Sequence, residues 1–103
     1  MAANFQPVIS GPTATFTLAG RLDAVSAPAL AEELKKLIGK GIQKVVFNAA
    51  DLAYLSSAGL RAIVFAKQKL GADPEVIILK PQPDVLGVIK MAGFDSFLTI
   101  QEK

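Results

Sequence analysis

The chain has 103 residues, 51% hydrophobic and 19% charged, enough for one domain with a real core and far from the composition of a disordered segment. Its net charge of +2 is spread without a basic run or interleaved aromatics, which argues against nucleic-acid binding. Cysteine and histidine are both absent, so disulfides, cysteine nucleophiles, histidine bases and nearly every zinc site are excluded.

Residues 1–7 carry no basic region and no apolar core, so no signal peptide is expected. No apolar run approaches the ~18 residues of a membrane span. A cytoplasmic protein without direct membrane insertion is the expectation. Residues 5–10 read as an edge strand, a place that tolerates Pro7. Gly11-Pro12 is a turn signal. Residues 13–18 then alternate polar and apolar with Phe16 and Leu18 on one face, a half-buried strand that completes a hairpin. Gly20-Arg21-Leu22-Asp23 ends it. Ser26 fits an N-cap and Pro28 a first helical turn. Leu30, Leu34 and Leu37 recur at helical spacing with Ala27 and Ile38 beside them. Glu32 and Lys36 form a favourable i,i+4 pair. Gly39-Lys40-Gly41 stops this helix.

The apolar run Val45-Val46-Phe47 suits an interior strand, covered on both faces or on one face and an edge. A short loop beginning at Asp51 feeds a second helix over residues 57–70. That helix is apolar around much of its girth in its first half, so it is expected to be central. Gly71-Ala72-Asp73-Pro74 reads as a loop and Val76-Ile77-Ile78-Leu79 as a buried strand. Pro81 and Pro83 preset a third helix, marked by Val85, Leu86, Val88, Ile89 and Ala92 and ended by Gly93. Phe94, Phe97, Leu98 and Ile100 predict a last short strand packing inward, and residues 101–103 are expected to fray. The order is β-β-α-β-α-β-α-β. Strands alternating with helices after a hairpin predict a single α/β domain over 1–103. Its sheet is mostly parallel, with right-handed crossovers and helices packed against it.

An enzyme is not expected. The 9 carboxylates show no metal-ligand spacing, the serines have no histidine partner and no Ser-x-x-Lys spacing, and no phosphate-binding or dinucleotide-binding glycine motif occurs. No cofactor and no metal are called for. Attention falls instead on Ser56 and Ser57, at a strand-to-helix junction where unpaired backbone N–H groups favour an anion. A serine there ordinarily caps the helix, worth about 1 kcal/mol. The surrounding run is more specific than a cap requires.

Gly20-Arg21-Leu22-Asp23, the Val-Val-Phe-Asn strand and the run Asp51-Leu52-Ala53-Tyr54-Leu55-Ser56-Ser57-Ala58-Gly59-Leu60 together resemble the STAS family of anti-sigma factor antagonists. The resemblance spans essentially the whole chain and implies a single STAS-like domain. It implies a partner that is both anti-sigma factor and serine-protein kinase, bound by the unphosphorylated antagonist so that the sigma factor is released. It also implies a PP2C-type phosphatase that resets the switch. The family pattern at this turn is Asp-Ser-Ser/Thr-Gly-Leu, with the serine two before the glycine modified, which matches Ser57 here. Ser56 stands where the pattern often has Asp and Ala58 where it has Ser or Thr, so Ser56 remains the second candidate acceptor.

Around these serines a partner surface of Asp23, Tyr54, Ser56, Ser57, Ala58, Gly59 and Arg61 is expected, with Tyr54 either at the edge of the core or exposed at that surface. Arg61, four residues after Ser57, either reaches a phosphate there or meets a carboxylate of another protein. Gly59 leaves room either for a partner or for helix–sheet packing. Asp23 either contacts the partner or forms a turn. A different class of function is an accessory subunit of a membrane ABC lipid transporter, which STAS-like proteins also serve, without a phosphorylation cycle.

Overall fold

The computed structural model describes residues 5–71 and 73–102. The expectations for residues 1–4, for Ala72 in its loop and for fraying at Lys103 lie outside the described residues. Five strands and three helices follow in the expected order: β1 (Val8–Ser10), β2 (Thr13–Leu22), α1 (Ala27–Lys35), β3 (Lys44–Leu55), α2 (Ser57–Lys69), β4 (Glu75–Leu79), α3 (Pro83–Met91) and β5 (Thr99–Gln101). The strands form one sheet in chain order, β1-β2-β3-β4-β5. Only the β1–β2 pair is antiparallel, as the hairpin predicts; the other three pairings are parallel.

Neighbouring parallel strands joined by crossovers of one hand place their helices on one face of the sheet. Burial agrees. Ala14, Phe16 and Leu18 of β2 and Val45, Phe47 and Ala49 of β3 are buried, whereas Thr13, Thr15 and Val46 are half-buried and Thr17 is exposed. Of the two expectations for the Val45-Val46-Phe47 run, the second is nearer: β3 is interior to the sheet and fully covered on one face only. Phe16 and Phe47 stack across β2 and β3 with ring centroids 5.4 Å apart at the centre of the core.

The largest correction concerns β3. It does not end before Asp51 but continues to Leu55, paired with β2 as far as Leu22↔Leu55. The register slips twice, between Thr17 and Ala19 and between Gly20 and Arg21 of β2, so β3 carries two extra residues. The buried positions of β3 accordingly run Val45, Phe47, Ala49, Leu52, Leu55, changing from a spacing of two to a spacing of three. A bulge adds one residue and rotates the following side chains, which is why a loop was expected. Gly20 sits at the second slip with φ +70°, a conformation other residues adopt at a cost.

Smaller corrections have local causes. The Phe5–Ser10 strand shortens to Val8–Ser10, with Phe5 buried in the core instead of lying in the ladder. Glu32 does not pair with Lys36; Lys35 approaches Glu32 at 3.9 Å and Lys36 bonds Glu33 at 3.0 Å, both at i,i+3. Ile38 lies past the end of α1 and is 48% exposed. Ala92 is exposed. Phe94–Ser96 forms a 3-10 turn and Phe97 is 60% exposed, whereas Leu98 is buried and the half-buried Phe94 and Ile100 pack against the core. Gln101 is not frayed but paired with Leu79. No helix among the described residues is long and apolar enough to cross a membrane.

Candidate functional site

The two bulges carry β2 and β3 to a common end at Leu22 and Leu55, and Ser56 alone separates β3 from α2. The Ser56 N–H donates to the Leu22 carbonyl at 2.9 Å, which clamps the junction to β2. Ser56 is in an extended conformation, φ −91° and ψ 172°, and its Oγ accepts from the Gly59 N–H at 3.1 Å. Its carbonyl accepts the Leu60 N–H at 2.9 Å. Ser56 is therefore the N-cap of α2, with its hydroxyl committed to one of the helix's orphan donors.

Ser57 is the first residue of α2, exposed, and its hydroxyl has no partner among the described residues. The first turn of α2 contains no acidic residue. Gly59 is buried, and a Cβ there would meet the backbone carbonyl of Leu22 as well as its Cγ at 2.9 Å. The room left by Gly59 is thus filled from within the fold, by the same carbonyl that holds Ser56. Packing, and not a gap facing outward, accounts for the glycine. Ala58 is half-buried and Leu55 buried.

The β2–α1 loop forms the neighbouring rim. Asp23 Oδ1 accepts from the Val25 N–H at 3.0 Å and the Ser26 N–H at 3.2 Å, a turn closed by a short acidic side chain. The bond from the Ser26 backbone, with further donors from Val25, Arg21 and the Ser26 hydroxyl, holds the Asp23 carboxyl below its ordinary value despite some desolvation. Ser26 precedes α1 but does not cap it through its side chain. Its Oγ donates instead to the Arg21 carbonyl at 2.9 Å. Arg21 reaches Asp23 at 3.5 Å and lies over the Tyr54 ring, 4.2 Å from its centroid. Tyr54 is 42% exposed. This Arg21–Tyr54 stack was not foreseen, because it needs the bulged register that pairs Arg21 with Tyr54.

Ser57 opens onto two clefts. One, of about 620 Å³, is lined by Ala24, Tyr54, Ser56, Ser57, Arg61 and Val88. The other, of about 380 Å³, runs between α2 and α3, with Leu60, Arg61, Met91 and Phe94 around Ser57. The structure therefore gathers Tyr54, Ser56, Ser57, Ala58 and Arg61 at one rim, with Ala24, next to Asp23, on it. The α3 wall was missed. Its signal was the apolar Met91, 92% exposed and so unused by the core. Gln82 sets that wall, its Nε2 donating to the Ala50 carbonyl of β3 at 3.0 Å. Among the described residues no three acidic, cysteine or histidine side chains gather to hold a metal. What the site offers chemically is a free primary hydroxyl at a helix start, beside one guanidinium.

The STAS domain family profile matches residues 4–103. The chain is 33% identical over 84 residues to the protein named "Putative anti-sigma factor antagonist BtrV" of Bordetella bronchiseptica, which covers 81% of this chain and 72% of that one. Its fold is similar to that of the anti-sigma factor antagonist SpoIIAA in its unphosphorylated form, with a TM-score of 0.81 and 21% identity over 94% of this chain and 87% of that one. The phosphorylated form of SpoIIAA from Bacillus gives a TM-score of 0.72 at 21% identity, over 94% of this chain and 90% of that one. At such identity the two structures speak for the fold.

Proposed function

Because the chain belongs to the STAS domain family, we propose that it is an anti-sigma factor antagonist switched by phosphorylation of Ser57. It is a cytoplasmic binding module and a kinase substrate, not an enzyme. Unmodified, it binds an anti-sigma factor that is also a serine kinase, and the sigma factor is released. A PP2C-type phosphatase restores the unmodified form.

One observation carries the choice of residue. Of the two serines, Ser56 spends its hydroxyl on the Gly59 N–H, while the Ser57 hydroxyl is exposed and unpartnered among the described residues. In the transfer, Ser57 Oγ forms a bond to the γ-phosphorus of ATP, the bond from that phosphorus to ADP breaks, and the hydroxyl proton passes to the kinase. The product adds about −1.5 to −2 charge. It does so at a helix start, where negative charge is favoured, so the fold tolerates it and the effect falls on the partner surface.

The test is incubation of the protein with ATP and extract from its source, followed by mass spectrometry. Gain of one phosphoryl group, lost in Ser57→Ala and kept in Ser56→Ala, is the expected result. A gain that persists in Ser57→Ala moves the site. No gain, with co-purification of ABC transporter subunits, replaces this reading by the accessory-subunit one.

A further inference from the structure

Arg61 stands apart from the other charged side chains near the site. Arg21 is engaged by Asp23 and the Tyr54 ring. Asp23 is bound to the backbone of its own loop. Arg61 is exposed and has no carboxylate, carbonyl or ring partner among the described residues. Among the described residues it is also the one charged residue lining either of these two clefts beside Ser57. It lines a third cleft too, of about 320 Å³, between α1 and α2, again as the one charged residue there among those described.

Ser57 and Arg61 are four residues apart on α2, so they lie on the same face one turn apart. Helical side chains lean toward the N-terminus, which directs the Arg61 stem back toward Ser57. No acidic residue in the first turn competes for the guanidinium. A guanidinium donates in pairs to phosphate oxygens, which suits it to this ligand better than a point charge.

We propose that Arg61 is the internal ligand of the Ser57 phosphate. It folds the phosphate back along α2, and modification thereby withdraws the one cation that lines these clefts among the described residues. The switch then has two parts: a negative group is added and a positive one is consumed. This rests on Ser57 being the modified residue.

The test installs phosphoserine at position 57 by genetic encoding, so that it needs no kinase and stands whether or not extract modifies the protein. The phosphate is titrated by phosphorus NMR in the Arg61, Arg61→Lys and Arg61→Gln forms. The expected result is a midpoint about 0.3 pH unit higher in Arg61→Gln, the equivalent of one exposed i,i+4 ion pair, with Arg61→Lys between the two. In the protein that retains Arg61, its Nε–H resonance should shift on phosphorylation and stay put when Ser57 is unmodified. Equal midpoints in all three forms, or an Arg61 Nε–H indifferent to the phosphate, overturns the proposal. The second readout needs no variant and stands if Arg61→Gln folds poorly.

Discussion

At the scale of single residues, two adjacent serines are assigned different work, and stability separates them. Ser56→Ala removes a cap and should cost about 1 kcal/mol in urea unfolding. Ser57→Ala removes an exposed hydroxyl and should change stability by less than about 0.5 kcal/mol. Equal costs for the two would contradict the capping geometry. Asp23 carries the next expectation. Its carboxyl lies below the ordinary value of 3.8, chiefly through the Ser26 N–H. A group lowered on folding stabilises the fold above its unfolded value, and that contribution is lost as pH falls through the folded value. Between pH 5 and pH 2, roughly, the wild type should therefore lose stability more steeply than Asp23→Asn, as urea midpoints across that range would show. Parallel curves would mean that the turn does not depend on the charge. The sequence made both serines and Asp23 visible as candidates. Which hydroxyl is spent depended on the backbone angles of Ser56, and these follow from its N–H being tied to Leu22 on a strand 34 residues earlier.

At the scale of elements, legibility tracked periodicity. The three helices announced themselves by apolar spacing, β4 by a continuous run and β2 by alternation over residues 13–18, although β2 runs on through the bulges to Leu22. The far half of β3 did not, because its buried residues shift from every second to every third position across two bulges. No single-strand pattern reveals a bulge; the partner strand defines it. Phe97 failed in the opposite sense. It is apolar, yet the 3-10 turn before β5 leaves it outside, in tilted contact with Phe94 at 6.0 Å. The bulged half of β3 makes a sharp expectation. If Asp51 to Leu55 were loop, truncating Leu52 would matter little. Since Leu52 is 1% exposed within the core, Leu52→Ala should cost about 2–5 kcal/mol. Ala53→Ser, on the exposed side of the same strand, should fall within about 0.5 kcal/mol. Chemical denaturation of the two variants decides between strand and loop. The same strand matters for the proposed switch, because its length sets Ser56 level with Leu22 and so aims the start of α2.

At the scale of the molecule, the sheet runs in chain order and one buried cluster, from Phe5 to Leu98, draws on β2, α1, β3, α2, β4 and α3. The serine junction is not an appendage to that cluster. Leu22 and Leu55, the last residues of β2 and β3, belong to it, as do Gly59's neighbours Leu60 and Ile63. A modified residue on such a base can alter a surface without loosening the fold, whereas a junction that melted alone would make the switch a local order–disorder change. The chain contains its own probe for the difference, since Tyr54 is its single tyrosine and there is no tryptophan. Its ring lies at the rim under Arg21, so its fluorescence reports the junction, while far-UV circular dichroism reports the helices and sheet. One core that includes the junction should unfold in a single step, with coincident urea transitions by both probes. A Tyr54 transition that precedes the dichroism change would show the rim opening before the sheet, and would replace a rigid switch surface with one that orders on binding.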